Sequence, residues 1–155
     1  MKSVHTPIEV RYAETDQMGI VHHGSYVVWC EIGRTHHMKE MGFHYPDIEK
    51  AGYLFPVLGI NIDYETPAVY GEDVEIETWI DSYDGVRVKY GYIVTNAKGE
   101  TCIRAFSSHV CVRKETFKPV AIRKALPDWH EAYSRLAEQT PAGSAKGGGD
   151  DGVWH

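Results

Sequence analysis

The sequence predicts an α+β fold in which a curled antiparallel sheet of about five strands wraps round one long central helix. Two observations predict it. Apolar residues alternate with polar ones over several stretches, which is typical of half-buried strands. Between the first of these stretches and the others, residues 25–41 are apolar without alternation, which indicates a helix enclosed by the rest of the protein.

The first predicted strand covers residues 8–12, where apolar side chains alternate with charged ones. A glycine turn separates it from the helix predicted over residues 25–41. Ser25 is the predicted N-cap, because its hydroxyl can accept a free backbone N–H at the helix start. Gly42 suits the position just after the last helical residues.

After Gly52 the apolar period falls to two, which predicts about four further antiparallel strands. The sequences DSYDG and TNAKGE between neighbouring strands predict hairpin turns. The alternating stretches lie at residues 58–64, 74–80, 86–94 and 103–112.

Two shorter helices complete the predicted domain. One covers residues 46–51, and the other is a surface helix over residues 127–139 with proline at its first position. Residues 140–155 are glycine-rich and polar, so we expect a disordered tail. Residues 1–139 are therefore predicted to form a single domain.

Composition excludes some classes of function. The chain has 155 residues and a net charge of −6, which argues against a nucleic-acid binder with a broad basic face. It has no apolar run of about 18 residues, so no membrane span is expected. The absence of an apolar leader and of a CxxC pair leads us to expect a cytoplasmic protein with three free cysteines. These are Cys30, Cys102 and Cys111.

Asp16 follows an arginine-led strand end and precedes Gly19 in the stretch RYAETDQMGIVHHGSY. A carboxylate on a glycine turn beside an enclosed helix can act as a nucleophile or a general base. Aspartate also favours turns for a structural reason, since its side chain accepts hydrogen bonds from nearby backbone N–H groups. The spacing alone leaves both interpretations open.

Two adjacent pairs of histidines raise the hypothesis of a metal-dependent hydrolase. The pairs are His22–His23 and His36–His37. Neighbouring residues point in different directions, and no HxxxH or HExxH spacing is present, so the pattern does not favour a metal site. We therefore predict neither a metal nor another cofactor.

The start of the predicted helix offers a further source of chemistry. Its free N–H groups carry partial positive charge and can stabilise a developing oxyanion. Gly24 would allow a substrate carbonyl to approach the backbone closely. Glu31 and Arg34, three residues apart, are expected to form an ion pair that would support a buried site. A carboxylate, a histidine and exposed amides at one place suit acyl transfer.

These residues also carry a resemblance to a known family. The stretch RYAETDQMGIVHHGSYVVWCEIGRTHHMKEMG resembles the signature of the 4-hydroxybenzoyl-CoA thioesterase family of hotdog-fold proteins. Downstream, TPAVYGEDVEIETWI is similar to a strand entry of that family, and the resemblance covers residues 4–124. The residues that fit the signature are Arg11, Tyr12, Glu14, Thr15, Asp16, Gly19, Val21, His23, Tyr26, Trp29, Glu31 and Arg34.

The resemblance implies an enzyme that hydrolyses an acyl-CoA thioester to free acid and coenzyme A. Such proteins form homodimers or homotetramers, with the site at the dimer interface. Asp16 matches the catalytic aspartate, as nucleophile or general base, and His23 matches a position near the thioester. Amides at the helix start would polarise the carbonyl. The substrate-binding residues expected with them are Gly24, Ser25, Tyr26, Glu31, Arg87 and Lys89, the last two for the phosphates of coenzyme A.

An alternative from another class stays open. It is a non-catalytic acyl-CoA or acyl-carrier-protein binding protein on the same fold, because a fold alone does not determine function. The acyl group is also open at this point. Tyr45, Tyr53 and Phe55 either line an aromatic pocket or belong to the core.

Overall fold

The computed structural model describes residues 3–140, and the tail predicted from residue 140 onward lies outside them apart from Thr140. The described part contains seven strands and four α-helices. In chain order these are β1 (Ser3–Glu9), α1 (Ser25–Glu40), α2 (Tyr45–Lys50), β2 (Tyr53–Leu54), β3 (Val57–Tyr64), β4 (Asp73–Tyr83), β5 (Arg87–Asn96), β6 (Thr101–Val110), β7 (Val112–Arg113), α3 (Ile122–Ala125) and α4 (Pro127–Glu138).

Five strands form one antiparallel sheet in the order β1-β4-β5-β6-β3, while β2 and β7 pair separately. Hairpins at the two predicted turn sequences join β4 to β5 and β5 to β6. The long helix α1 packs against β1, β4 and β5. The predicted α+β class, with a five-stranded antiparallel sheet and one long helix, is therefore confirmed.

One side of α1 lies in the core. Its buried residues recur every three or four positions, which places them on one stripe of the helix. At Gly33 the helix comes so near β4 that a Cβ atom would lie 2.5 Å from Thr78 Oγ1 and 3.3 Å from Ile76 Cγ2. The absence of a side chain at Gly33 thus sets the distance between helix and sheet. The buried positions are Tyr26, Trp29, Cys30, Gly33, His37 and Met38.

The other side of α1 is open to solvent, so the prediction of a fully enclosed helix is wrong for the single chain. Val27, Val28 and Ile32 are 43%, 45% and 41% exposed. The sheet of one chain covers only one side of the helix and leaves these residues uncovered. We call Val27, Val28 and Ile32 the exposed α1 stripe.

The ends of α1 differ in how well the sequence predicted them. Ser25 is the first helical residue and not the N-cap; the N-cap is Gly24, without a side-chain hydrogen bond. The Ser25 hydroxyl donates to the Glu14 carbonyl at 3.3 Å instead. The stop at Gly42 is confirmed, since this residue has a φ of +90° that glycine adopts without strain.

Two further elements are close to their predicted places. β1 begins earlier than the strand predicted over residues 8–12, because Val4 and Thr6 are buried on the same face as Ile8. α4 has proline in its first turn, as predicted, and buries one face against the rest of the domain. Within residues 3–140, every helix falls short of the length and apolarity that crossing a membrane demands.

Replacing Gly33 by alanine should destabilise the fold, because the added methyl group meets Thr78 and Ile76 and overpacking typically costs about 1–3 kcal/mol. Urea unfolding measures the loss, with Thr35→Ala on the exposed side of α1 as the control. Thr78 Oγ1 is buried and lacks a hydrogen-bond partner among the described residues. Adding Thr78→Ala should therefore restore most of the stability, and a double variant as unstable as Gly33→Ala would contradict this contact.

Candidate active site

The turn after β1 is fastened to α1 by Glu14, whose side chain is buried. One carboxylate oxygen accepts the Arg11 backbone N–H at 2.8 Å. The other accepts the Arg11 guanidinium at 3.1 Å and the Trp29 indole N–H at 2.9 Å. The Glu14 carbonyl also accepts the His22 N–H at 2.7 Å and the Ser25 hydroxyl at 3.3 Å. Glu14 thus joins the strand end, the turn and the helix.

The surroundings of Glu14 keep it ionised. Burial alone would raise its pKa, but the hydrogen bonds from the Arg11 N–H, the Trp29 indole and the Arg11 guanidinium outweigh burial and lower it. Both carboxylate oxygens are occupied by these donors. Glu14 therefore acts as an anchor for the turn and is not available as a base.

Asp16 lies two residues further on, in a tight turn closed by Gly19. Its Oδ1 atom accepts the Met18 N–H at 2.8 Å, and its backbone N–H donates to the Ile20 carbonyl at 2.9 Å. The turn-capping interpretation of Asp16 thus holds for one oxygen. The other oxygen, Oδ2, has no hydrogen-bond partner in the part of the chain that the structure describes.

Asp16 borders a cleft of about 230 Å³ at the start of α1. His23 and Tyr26 line the same cleft, and Tyr64 lines it from the end of β3. The rings of Tyr26 and Tyr64 meet edge to face, with centroids 5.6 Å apart. The structure therefore brings together three of the residues singled out in the sequence, namely Asp16, His23 and Tyr26. Tyr64 and Cys102, which also lines the cleft, had no predicted role here.

Most backbone N–H groups around the helix start already have partners. Those of Ser25 and Val27 donate to the carbonyls of His22 and Gly24 at 2.9 and 3.2 Å. That of Gly24 donates to His22 Nδ1 at 3.1 Å. The His23 N–H has no hydrogen-bond partner among residues 3–140. The sequence led us to expect several free amides, and the structure leaves His23 as a donor beside the cleft.

The two histidine pairs do not form one site. The rings of His22 and His23 lie 4.3 Å apart, centroid to centroid, and both residues are exposed. His36 Nδ1 lies 2.7 Å from the Thr6 hydroxyl, and His37 is buried against the ring of Tyr90. Across residues 3–140, three or more His, Cys, Asp or Glu side chains nowhere converge as metal ligands would.

Arg34 does not form the expected ion pair with Glu31, because its guanidinium turns toward the sheet and donates to the Tyr92 hydroxyl at 3.0 Å. Tyr92 in turn lies 2.7 Å from the Ser107 hydroxyl, and Ser107 lies 2.8 Å from His109 Nε2. We call Arg34, Tyr92, Ser107 and His109 the Arg34–His109 network. Sequence reasoning missed it, since Arg34 on α1, Tyr92 on β5, and Ser107 and His109 on β6 come together only in the folded chain.

The Arg34–His109 network reaches a second cavity, of about 660 Å³, which Arg34 and His109 line together with Glu31. Tyr45 and Phe55 line it as well, which agrees with the aromatic-pocket interpretation of these two residues. Tyr53 does not line it; the Arg113 guanidinium lies over the Tyr53 ring, 5.8 Å from the ring centroid.

The remaining predicted substrate-binding residues lie outside the Asp16 cleft. Gly24 and Ser25 sit at the helix start but do not line it. Arg87 pairs with Val110 at the end of β6, whereas the cleft adjoins Cys102 at the start of that strand. Eight residues of strand separate these positions by roughly 26 Å. Arg87, and Lys89 close to it on β5, therefore do not line this cleft.

Comparison with known proteins decides the family. The thioesterase superfamily matches residues 18–103, which is more than half of the chain. The chain belongs to the thioesterase superfamily. The hotdog fold and the thioester-hydrolase class implied by the signature are thereby confirmed.

Individual relatives of this thioesterase agree with the family match. The Bacillus subtilis (strain 168) protein named "Putative acyl-CoA thioesterase YneP" is 57% identical over 128 residues, covering 83% of this chain and 93% of the relative. The acyl-CoA thioester hydrolase YbgC of Escherichia coli O6:H1 is 30% identical, with 77% and 90% covered. The structure of DHNA-CoA thioesterase from Staphylococcus aureus is 40% identical, with a TM-score of 0.86 and 89% and 93% covered.

Replacing Glu14 by glutamine should destabilise this thioesterase, because an amide has one acceptor oxygen where the carboxylate uses two. A buried donor left unpaired costs about 1–3 kcal/mol, which urea unfolding at neutral pH can measure. The lowered pKa of Glu14 determines how its contribution to stability depends on pH. The ionised side chain stabilises the fold fully above the ordinary pKa of 4.5, and this stabilisation is lost as the pH falls through the lower pKa of the folded state.

The difference in unfolding free energy between the parent and Glu14→Gln should therefore become smaller in acid. A difference that stays constant as the pH falls below the folded pKa would show that the charge of Glu14 is not what anchors the turn.

Proposed function

We propose that this thioesterase hydrolyses acyl-CoA thioesters in the cleft that Asp16, His23 and Tyr26 share. One observation carries the proposal: a carboxylate oxygen without a partner, Asp16 Oδ2, and a backbone N–H without a partner, that of His23, belong to residues lining one cleft. The names of the B. subtilis and E. coli relatives support acyl-CoA as the substrate class. From the S. aureus relative, named for DHNA-CoA, we carry over only this class.

The mechanism assigns one task to each of these groups. The His23 N–H donates to the thioester carbonyl oxygen, where negative charge grows in the transition state. Asp16 Oδ2 either attacks the carbonyl carbon, so that the coenzyme A thiolate leaves and an acyl–aspartyl anhydride forms, or removes a proton from an attacking water. In the first route water then cleaves the anhydride and restores the carboxylate. The Met18 N–H orients Asp16 in both routes.

Asp16→Asn should lower kcat about 10²-fold or more, because an amide is neither a nucleophile nor a base here. The asparagine oxygen can still accept the Met18 N–H, so the melting temperature should not change. The rate is measured as thiol release from a panel of acyl-CoA thioesters, with Asp47→Asn on the exposed surface of α2 as the control.

Equal rates for Asp16→Asn and the parent would remove Asp16 from the mechanism. Acyl-CoA binding by the parent without thiol release would instead favour the non-catalytic binding protein.

We also infer that two chains pair through β3. This strand forms one edge of the five-stranded sheet, and Val57, Leu58 and Tyr64 are each more than half exposed. Ile32 of the exposed α1 stripe lines the larger cavity together with Val57 of β3, so the two apolar surfaces adjoin there. The unpaired backbone groups of an apolar edge strand can form hydrogen bonds with a strand of another chain.

Assembly of such dimers into a tetramer stays a prediction, as does the binding of coenzyme A phosphates by Arg87 and Lys89.

Leu58→Lys should convert the dimer into a monomer, because a charge on the edge strand opposes pairing with a second copy. Light scattering coupled to size exclusion measures the mass, and circular dichroism verifies that the chain is folded. Phe117→Lys is the matched control, since Phe117 is 59% exposed and belongs to neither β3 nor α1. A Leu58→Lys variant that stays dimeric would contradict pairing through β3.

A further inference from the structure

Tyr64 lines the Asp16 cleft, yet the proposed mechanism gives this side chain no task. It is the last residue of β3 and pairs with Ile103 of β6, which belongs to the hydrophobic core. Directly opposed residues of antiparallel strands point to the same face of a sheet, so the Tyr64 side chain lies on the core face. From there its hydroxyl donates to the His23 carbonyl at 3.1 Å. A side chain of the sheet thereby contacts the turn that carries His23.

Residues 22–24 have six polar backbone groups, one N–H and one carbonyl each. The His23 N–H alone has no hydrogen-bond partner among residues 3–140. Four of the other groups bond within the segment 14–27, and only the His23 carbonyl is bonded from the sheet, by Tyr64. The four local partners are the Glu14 carbonyl for the His22 N–H, the Ser25 N–H for the His22 carbonyl, His22 Nδ1 for the Gly24 N–H and the Val27 N–H for the Gly24 carbonyl.

The bond from Tyr64 restricts the direction of the His23 N–H. The His23 N–H and the His23 carbonyl belong to neighbouring planar peptide groups that share one Cα atom, so holding the second group limits how the first can rotate. His23 is exposed, and packing does not hold it in place. Without Tyr64, the second group would be held by one exposed hydrogen bond, from the Gly24 N–H to His22 Nδ1.

Tyr64 is itself well supported. Its ring meets the ring of Tyr26 edge to face, with centroids 5.6 Å apart. Tyr26 is buried, and its hydroxyl accepts the Ala68 N–H at 3.1 Å, which fixes the ring that Tyr64 rests on. Burial raises the pKa of Tyr64, so its hydroxyl keeps the proton that it donates to His23. The sheet and α1 together thus hold the Tyr64 hydroxyl in a defined place.

We propose that Tyr64 is a positioning residue, which orients the His23 N–H toward the thioester carbonyl through its hydrogen bond to the His23 carbonyl. The inference rests on the proposed function, because it concerns the donor of the same site. A donor stabilises the transition state most when it is already oriented, since no reorganisation is then needed during the reaction. Tyr64 acts through His23 and does not touch the reacting atoms.

Tyr64→Phe removes the hydroxyl and keeps the ring that packs against Tyr26. It should lower kcat about 10-fold, less than the 10²–10³-fold typical of a deleted oxyanion donor, because the His23 N–H is still present but is less well oriented. KM should change by no more than about 2-fold, since binding of the coenzyme A part is untouched. The melting temperature should change little, because the lost hydrogen bond is exposed. Thiol release from acyl-CoA thioesters measures both kinetic constants.

Tyr70→Phe is the matched control. Tyr70 is 58% exposed, packs against Tyr12 with ring centroids 5.6 Å apart and does not line the Asp16 cleft. Its kcat should equal that of the parent. A purely structural role for Tyr64 would lower the melting temperature and leave kcat unchanged. A kcat of Tyr64→Phe equal to that of Tyr70→Phe would therefore overturn the proposal.

A binding experiment tests the orientation of the donor without turnover. S-acetonyl-CoA places a ketone one methylene beyond the sulfur, and S-propyl-CoA has a methylene in place of that ketone, so neither is cleaved. The parent should bind the ketone about 5-fold more tightly, as one hydrogen bond allows. In Tyr64→Phe the two Kd values, measured by calorimetry, should become nearly equal. A Kd ratio that Tyr64→Phe leaves unchanged would overturn the proposal whatever the rates.

The two experiments separate this inference from the proposed function. Thiol release that is lost in Asp16→Asn, with a Kd ratio that is the same in the parent and Tyr64→Phe, would support the mechanism and contradict the role of Tyr64. A Kd ratio that falls in Tyr64→Phe, without thiol release from any thioester by the parent, would support the role of Tyr64 and contradict hydrolysis.

Discussion

The structure of the site depends on one buried carboxylate. Glu14 accepts three hydrogen bonds through its side chain, two from Arg11 and one from Trp29, and two more through its carbonyl oxygen, from His22 and Ser25. It therefore fixes the turn that carries Asp16 against the helix start that carries His23. Packing alone could not do so, because the turn is short and largely exposed. The relative position of Asp16 and His23, the groups to which we assign the chemistry, follows from this anchor.

The two carboxylates of the turn, Glu14 and Asp16, differ in how many hydrogen-bond donors surround them. Glu14 is saturated with donors, and its lowered pKa makes it a poor base. Asp16 accepts the Met18 N–H on Oδ1, which orients the side chain and leaves Oδ2 for the base or nucleophile role that we propose. The sequence posed turn cap and base as alternatives for Asp16. The turn hydrogen bond occupies only one of the two carboxylate oxygens, so it is compatible with the catalytic role that we propose for the other.

Local spacing predicted the fold well, since the period of apolar residues directly sets which side of a strand or helix is buried. It failed where a partner lies far along the chain. Ser25 donates to Glu14 rather than capping its own helix, and Arg34 reaches Tyr92 and not Glu31, because long-range packing offers those side chains a better partner. The choice of Asp16 and His23 came from the family signature. Spacing gave no sign of the unpaired His23 N–H, which depends on how the neighbouring amides are used.

The wrong prediction about α1 carries information of its own. An apolar surface all round a helix indicates burial on every side, yet one chain leaves the exposed α1 stripe in solvent. The pattern is consistent if the missing cover is a second chain, because sequence periodicity records burial in the assembled protein and not in the isolated subunit. The same reasoning applies to the edge strand β3. The two-fold dimer that we propose through these surfaces would bury both apolar regions, so the stability of the chain would depend on that interface.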